Sequence, residues 1–509
     1  MCANRSSDLD LVLINPHGRE ELYQELGQEL TAIEPPLWCR LIGGYVRDRG
    51  FGVEIIDAEA EGWGPRTVAL RARERRPRLI AVIVFGHQPS ASTQQMAAAA
   101  PTIRAIKAAD PDQATIVIGG HVAALPERTM REEPVDFACN GEGPVTVAQL
   151  LDVLRAGAPF DFASVPGLVW RDGDAIRSNV QPPLIKDLDR DLHGQVWDLL
   201  PMSKYRAHNW QCFGAPDTRR RYASIHTSLG CPYRCTFCCI NAPFGTNRYR
   251  MRGARSVIAE IDHLHGTYGV KTLKIVDEMF VLNERHVAEI CDELISRGYD
   301  LNIWAYARVD TVKPHMLRKM RQAGIRWLAL GIESGSAHVR DGADKSFGQS
   351  DIVDIVREIR RAGINVIGNF IFGLPDDDEA TMRQTFDLAT QLNCEFANFY
   401  CAMAYPGSQL YTIAVEKGWD LPQTWSGFSQ HSYDCLPLRT EKLSAAQVLQ
   451  FRDNAFDRYF TNQRYLDMVT EKFGRGTRMH IERMTGHKLR RKIVDDPGVS
   501  ETLAYARQA

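Results

Sequence analysis

The apolar positions of this 509-residue chain fall into two long stretches of alternating strand and helix patterns, with a segment between them that has neither. In the first stretch, short β-branched runs occupy 9–15 (LDLVLIN), 53–57 (VEIID), 79–86 (LIAVIVFG), 114–121 (ATIVIGGH) and 135–141 (VDFACNG). Runs this short and this uniformly apolar predict strands buried on both faces. Between them, 37–48, 66–74, 92–109 and 145–154 read as helices. Strands alternating with crossover helices predict a parallel sheet covered on both sides. Ligands of such sheets bind beyond the carboxyl ends of the strands. Here those ends carry Asn15-Pro16-His17-Gly18, Gly86-His87, Gly119-Gly120-His121 and Gly141-Glu142-Gly143, whose glycines let backbone approach a bulky ligand closely.

Residues 161–220 break the rhythm with Pro166, Pro182, Pro183, Pro201 and Pro216 and predict a connector wrapped against its neighbours. From 221 the alternation resumes with YASIHTS, TLKIVD, LNIWAYA, RWLALGI, NVIGNFIF and FANFYCAM. Intervening helices show apolar spacings such as Val257, Ile261, Leu264 and Ile352, Ile355, Val356, Ile359. Six such units predict an open, partial (β/α)6 barrel of the TIM type over 221–411. Beyond 411 the strands stop. SAAQ (444–447) has capping-box form, and Val448, Phe451, Ala455 and Tyr459 follow at helical spacing. The expected fold class is therefore α/β: a flavodoxin-like domain over 1–160, the connector, the partial barrel, and a small helical domain over 412–509.

Charge changes this picture little. With 61 Lys+Arg against 63 Asp+Glu, the net charge of −2 argues against a protein that works by phosphate contact with nucleic acid. No apolar run approaches the roughly 20 residues of a membrane span, and MCANRSSDLD lacks a signal-peptide pattern, so a cytoplasmic protein is expected. RARERRPR (71–78) and KLRRK (488–492) read as solvated faces, whereas TRRR (218–221), just before the first barrel strand, is a candidate attractor for an anionic or nucleotide-linked small molecule.

The cysteines change it most. Of twelve, eight are scattered singly and four lie within CPYRCTFCC. A lone cysteine is most often a small buried hydrophobe. Cys231, Cys235 and Cys238 instead have the spacing C-x3-C-x2-C, on the loop directly after the first barrel strand. Three thiolates on one loop suit three irons of a [4Fe–4S] cluster, leaving the fourth iron open. A structural zinc site would need four closed ligands, and no second pair is present. Cys239 is poorly placed to help, because adjacent residues point apart.

On these residues the chain resembles the radical S-adenosylmethionine (SAM) superfamily over roughly 222–410. The resemblance implies that Cys231, Cys235 and Cys238 hold a [4Fe–4S] cluster whose open iron binds SAM, with Phe237 near the adenine. It implies SAM contacts from Asp277 and Glu278, although VDEMF lacks the family's two glycines, from Arg308 to the methionine carboxylate, and from Glu333 and Ser334 to the ribose. FIFGLP (370–375) and AYPGSQLY (404–411) match later strand ends of that family.

The first domain resembles the cobalamin-binding branch of the same superfamily, through EPPLWCRLIGGYVRDRGFGVEIID (34–57), VIGGHVAALPE and CNGEGPVTVAQLL in that order. The resemblance implies cobalamin contacts from His17, Gly86, Gly119, Gly120, His121, Gly141, Glu142 and Gly143. His17 holds the offset of the cobalt-binding histidine in D-x-H-x-x-G, but the Asp and the Gly are missing, so a polar contact beside the cofactor is expected rather than cobalt ligation.

The function implied is that of a radical enzyme using a [4Fe–4S] cluster, SAM and cobalamin. The leading expectation is a C-methyltransferase acting on an unactivated carbon through methylcobalamin and a 5′-deoxyadenosyl radical, served by a flavodoxin or ferredoxin electron donor. An oxidoreductase with the same cofactors, such as a cyclase or ring-contracting enzyme, is the alternative, and a non-catalytic cobalamin or iron–sulfur sensor is a third of another class.

Overall fold

A computed structural model of the chain describes residues 9–86 and 92–495. The first sheet has strand order β2–β1–β3–β4–β5 in its parallel part, from β1 (Leu11–Asn15), β2 (Val53–Asp57), β3 (Leu79–Val84), β4 (Thr115–Gly119) and β5 (Phe137–Cys139). This is the flavodoxin-like order. Each residue of β1, β3 and β4 is buried, because helices such as Leu37–Arg47 and Ser92–Ala109 cover both faces.

The sheet then gains two strands that the sequence pattern concealed. Within the expected connector, β6 (Leu168–Asp172) and β7 (Ala175–Ser178) form a hairpin that adds antiparallel to β5. Its turn uses Gly173 at φ 60°. Only Leu168 and Val169 of this hairpin are buried, so no apolar alternation marks it. The rest of the connector winds through short 3₁₀ turns against both neighbours.

The second sheet is parallel throughout, in the order β15–β14–β13–β12–β11–β8. Its strands are β8 (Tyr222–Ile225), β11 (Thr272–Ile275), β12 (Asn302–Arg308), β13 (Ile325–Glu333), β14 (Asn365–Phe372) and β15 (Phe396–Cys401). Between β8 and β11, the short antiparallel pair β9 (Ser228–Leu229) and β10 (Arg250–Met251) flanks the cysteine loop. The six strands make an open partial barrel, as the sequence pattern predicts. The helices Ala445–Phe460 and Gln463–Phe473 pack on the β15 side, where Tyr459 and Tyr465 donate to the carbonyls of Cys394 and Glu395 at 2.7 and 3.1 Å. The capping box is formed, with Ser444 N donating to Gln447 Oε1 at 2.9 Å and Gln447 N to Ser444 Oγ at 3.2 Å. No helix of the described residues is long and apolar enough to cross a membrane.

Buried charge ties the two sheets together. Arg40, on the helix after β1, donates to Glu260 of the barrel at 3.1 Å and to the carbonyls of Gly194 and Ser224. Arg252 binds the other oxygen of Glu260, and Trp197 Nε1 donates to the oxygen that Arg40 binds, at 3.1 Å, while its ring lies 3.7 Å from the Arg40 guanidinium. Beside this, Glu34 and Lys274 pair across the interface at 3.0 Å, both buried. TRRR lies at the amino end of β8, where Arg219 donates to the carbonyls of Ala207 and Thr31. It therefore braces the connector, opposite the carboxyl strand ends, and the anionic substrate expected from it loses its basis.

Two stability predictions follow from buried carboxylates. Glu260→Ala removes the carboxylate that lies between two buried guanidinium groups and should cost about 3–5 kcal/mol, measured by urea denaturation. Asp57, at the end of β2, is pushed up to about 6 by burial, despite donors from Tyr205, Asn15 and the Ala60 N–H. A carboxyl raised in the fold stabilises it at low pH and loses that contribution as pH climbs through the folded value. Stability should therefore fall by about 3 kcal/mol between roughly pH 4 and pH 6. Asp57→Asn should flatten that slope in pH-dependent denaturation, and an unchanged slope would exclude Asp57 as its source.

Candidate functional site

The carboxyl ends of the two sheets face one another, and a cavity lies between them. Asn15, Leu37, Trp38, Ile83, Phe85, Gly86, Ser92 and Gly120 line it from the first sheet; Ser228, Cys239, Phe244, Val276 and Glu278 line it from the barrel side. Trp38 and Phe85 stack with centroids 4.2 Å apart, so one wall is flat and apolar.

The cysteine loop forms the barrel-side rim. It leaves β9 through Gly230 at φ 84°, where a Cβ would come within 2.2 Å of the Arg248 carbonyl oxygen. Asn241 pins it by donating to the Cys231 carbonyl at 3.0 Å and to Asn247 at 3.0 Å, and Asn247 in turn donates to the Tyr233 carbonyl. Cys238 lies within electrostatic reach of Cys231 and Cys235. Among the described residues no three His, Cys, Asp or Glu side chains close on a single metal ion. A mononuclear zinc site would bring its sulfurs to about 3.8 Å apart, whereas a cubane takes each thiolate on its own iron and holds them farther apart. Three free thiols on one loop are the donor set that such a cluster takes, one to each of three irons. Burial pushes the Cys231 thiol up to about 11, so cluster assembly must displace its proton. Cys239 turns the other way, packing with Met403, Tyr405 and Phe428, and burial raises its thiol to about 12.

The expected SAM contacts divide sharply. Asp277 is spent on the strand end, accepting from Thr227 N and Ser228 Oγ at 2.6 Å each and from the Thr227 hydroxyl. Glu278 is spent only in part, on the backbone N–H groups of Gly230 and Glu278. Its Oε2 is buried without a partner, and burial raises the carboxyl to about 8. Arg308 donates to Cys235 Sγ at 3.5 Å, is held bidentate by Asp310 at 2.9 and 3.0 Å, and lies 4.0 Å over the Tyr233 ring. Glu333 sits at φ 66°, left-handed for a non-glycine residue, beside a register shift in β13. Its carboxylate pairs with Lys345, which also lies within electrostatic reach of Cys235. Ser334 is wholly buried and shares a hydrogen bond with Thr385 at 3.1 Å, so its hydroxyl faces the core. Phe237 packs between two small apolar clusters at the loop end.

The expected cobalamin contacts also divide. Gly86 and Gly120 line the cavity. Gly119 and Gly143 answer to the protein itself: a Cβ at Gly119 would meet the Val84 carbonyl oxygen at 2.1 Å, and one at Gly143 would meet Ile118 at 2.9 Å. Gly141 has φ 148°, beside Gln181 and Pro243. Glu142 is committed to an ion pair with Arg250 at 2.5 Å. His17 is committed to Glu59 at 2.7 Å, which Arg19 also binds. His121 packs its ring edge-on against Trp425 and is lowered to about 3 by burial, so it stays neutral. His87 lies outside the described residues. Sequence reasoning missed Lys345, Trp38, Phe85 and Phe244. Of these, only Trp38 carried a signal, through its place in EPPLWC.

The chain is similar to known proteins over both sheets. The Radical SAM superfamily model matches residues 225–389, and the B12 binding domain model matches residues 26–151. An uncharacterized methyltransferase of Pyrococcus horikoshii is 29% identical over 78% of this chain and 82% of its own length. The anaerobic magnesium-protoporphyrin IX monomethyl ester cyclase of Cereibacter sphaeroides is 26% identical over 79% of this chain and 63% of its own. The fold is that of the radical SAM methyltransferase TsrM from Kitasatospora setae, solved with cobalamin and a [4Fe–4S] cluster, at a TM-score of 0.64 and 18% identity over 89% of this chain and 88% of that one. The cofactors that follow are a [4Fe–4S] cluster and SAM for the barrel and cobalamin for the first sheet. With its cysteine loop inside the first match and strands β2 to β5 inside the second, the chain carries a radical SAM domain over 225–389 and a B12-binding domain over 26–151.

Proposed function

We propose that this chain is a cobalamin-dependent radical SAM C-methyltransferase that methylates an unactivated carbon of a small molecule. The observation that carries the reading is the cavity that both sheets wall with their carboxyl ends. A substrate held there lies between the cobalamin-binding sheet and the cysteine loop, within reach of both. When bound, cobalamin supplies the methyl group, and the cluster with SAM supplies the 5′-deoxyadenosyl radical.

The chain's own residues hold and orient. Cys231, Cys235 and Cys238 take the cluster on a loop that Asn241 and Asn247 keep in shape. Glu278, which lines the cavity, offers its unpartnered Oε2 to the amino group of SAM. Arg308, held by Asp310, and Lys345, held by Glu333, bring two paired cations to Cys235, and a SAM carboxylate bound there would share them with those partners. Trp38, Phe85 and Phe244 keep water from the wall opposite. The partner is a low-potential donor of the flavodoxin or ferredoxin type. A reducing cytoplasm suits the chain, whose described cysteines are all free thiols.

The cyclase relative supports a second reading, an oxidoreductase with the same cofactors and no methyl product. Anaerobic turnover of a substrate with iron, sulfide, cobalamin, SAM and a low-potential reductant should release S-adenosylhomocysteine and 5′-deoxyadenosine together, with a product heavier by one CH2. 5′-Deoxyadenosine without S-adenosylhomocysteine or a mass gain would favour the oxidoreductase. Cys235→Ala should abolish the cluster absorbance and 5′-deoxyadenosine formation together. Turnover that survived this change would overturn both readings.

A further inference from the structure

The polar atoms of the cavity wall on the first-sheet side can be followed to their partners. That wall offers two polar side chains, Asn15 and Ser92, among apolar ones. Ser92 is spent: its hydroxyl bonds to the Val84 carbonyl and accepts from His121 N at 3.0 Å. Asn15, at the end of β1, is half spent. Its Nδ2 donates to Asp57 Oδ1 at 2.8 Å, and its amide oxygen has no partner among the described residues.

The amide is also fixed in orientation. Asp57 accepts from Asn15, from the Ala60 N–H at 3.1 Å and from the Tyr205 hydroxyl at 2.7 Å. Tyr205 is wholly buried and belongs to the connector. Because Nδ2 is held by Asp57, the amide oxygen is the polar atom that Asn15 keeps unpartnered where it lines the cavity. The Trp38–Phe85 stack beside it gives a flat apolar surface suited to the face of a macrocycle.

The histidines that could compete are elsewhere. His17 is drawn off by Glu59, with Arg19 on the same carboxylate. His121 turns to Thr93 and Trp425.

We propose that Asn15, and not His17, is the residue that this chain presents to the lower face of the cobalt, with its amide oxygen as the contact and Asp57 and Tyr205 as its positioning residues. The assignment rests on the cobalamin reading above and adds a residue to it. A neutral amide oxygen is a weaker donor than an imidazole, so it stabilises oxidised cobalt less and leaves the metal easier to reduce.

The test is spectroscopic and needs no turnover. The full chain is loaded with cobalamin or with cobinamide, which lacks the tail base, and the paramagnetic Co(II) state is read by electron paramagnetic resonance. With cobinamide, the wild type should show no nitrogen splitting, and His17→Ala should leave the spectrum as it was. Asn15→Ala should shift the cobalt hyperfine pattern. Asn15→His should split each resolved cobalt line into the triplet of one axial nitrogen. A wild-type triplet that His17→Ala removes would overturn the assignment, and this comparison stands even if the Asn15 variants fold poorly. A folded Asn15→His protein with the wild-type spectrum would overturn it as well. Failure of the wild type to retain cobalamin through gel filtration would overturn the cobalamin reading itself. Retained cobalamin with a spectrum indifferent to Asn15 would overturn this inference alone.

Discussion

Two guanidinium groups cannot share a dry interface unless a carboxylate lies between them, and Glu260 lies between Arg40 and Arg252. The rest of the site depends on that arrangement. Arg40 comes from the first sheet's helix layer, Glu260 from the barrel, and Trp197 from the connector. An ion network of this kind is costly to assemble and still more costly to leave incomplete, which makes it a device for one docking geometry rather than for net stability. Glu34 with Lys274 repeats the device nearby. Together they hold the carboxyl ends of two independently twisted sheets at a set separation, and the cavity is the space so defined.

Within that space, chemistry is left to the atoms the fold does not consume. Asp277 and Glu278 are neighbours in sequence, yet one is saturated by Thr227 and Ser228 while the other keeps a buried, unpartnered oxygen. His17 and Asn15 lie two residues apart, and Glu59 takes the first while Asp57 takes only the amide nitrogen of the second. In each case a hydrogen-bonding partner on an adjacent element decides which of two plausible side chains remains available.

That is also why the fold was more legible in the sequence than the site. Runs such as LIAVIVFG carry their own evidence, because a strand buried on both faces has to be apolar throughout. The cysteine spacing is likewise local. The hairpin of β6 and β7 was hidden, because an edge pair with only Leu168 and Val169 buried has no periodicity to read. Lys345 was invisible for another reason: twelve residues separate it from Glu333, and only the left-handed turn at the end of β13 brings the two together. Gly119 and Gly143 read as ligand-facing glycines, but the pressure on them comes from Val84 and Ile118, which sequence order does not reveal as neighbours.

The hairpin has a consequence for how the molecule meets others. A parallel sheet that ended at β5 would expose a row of unpaired backbone groups, a template for any passing strand. Here the last strand is four residues long and mostly exposed, and its Arg177 is paired across the turn with Asp172. At the far side of the molecule, the C-terminal helices cover β15 in the same spirit, with two tyrosine hydroxyls pinned to the carbonyls that precede it. At the β7 and β15 edges the open sheet and the open barrel thus end in surfaces ill-suited to strand addition, which guards those edges against edge-to-edge aggregation.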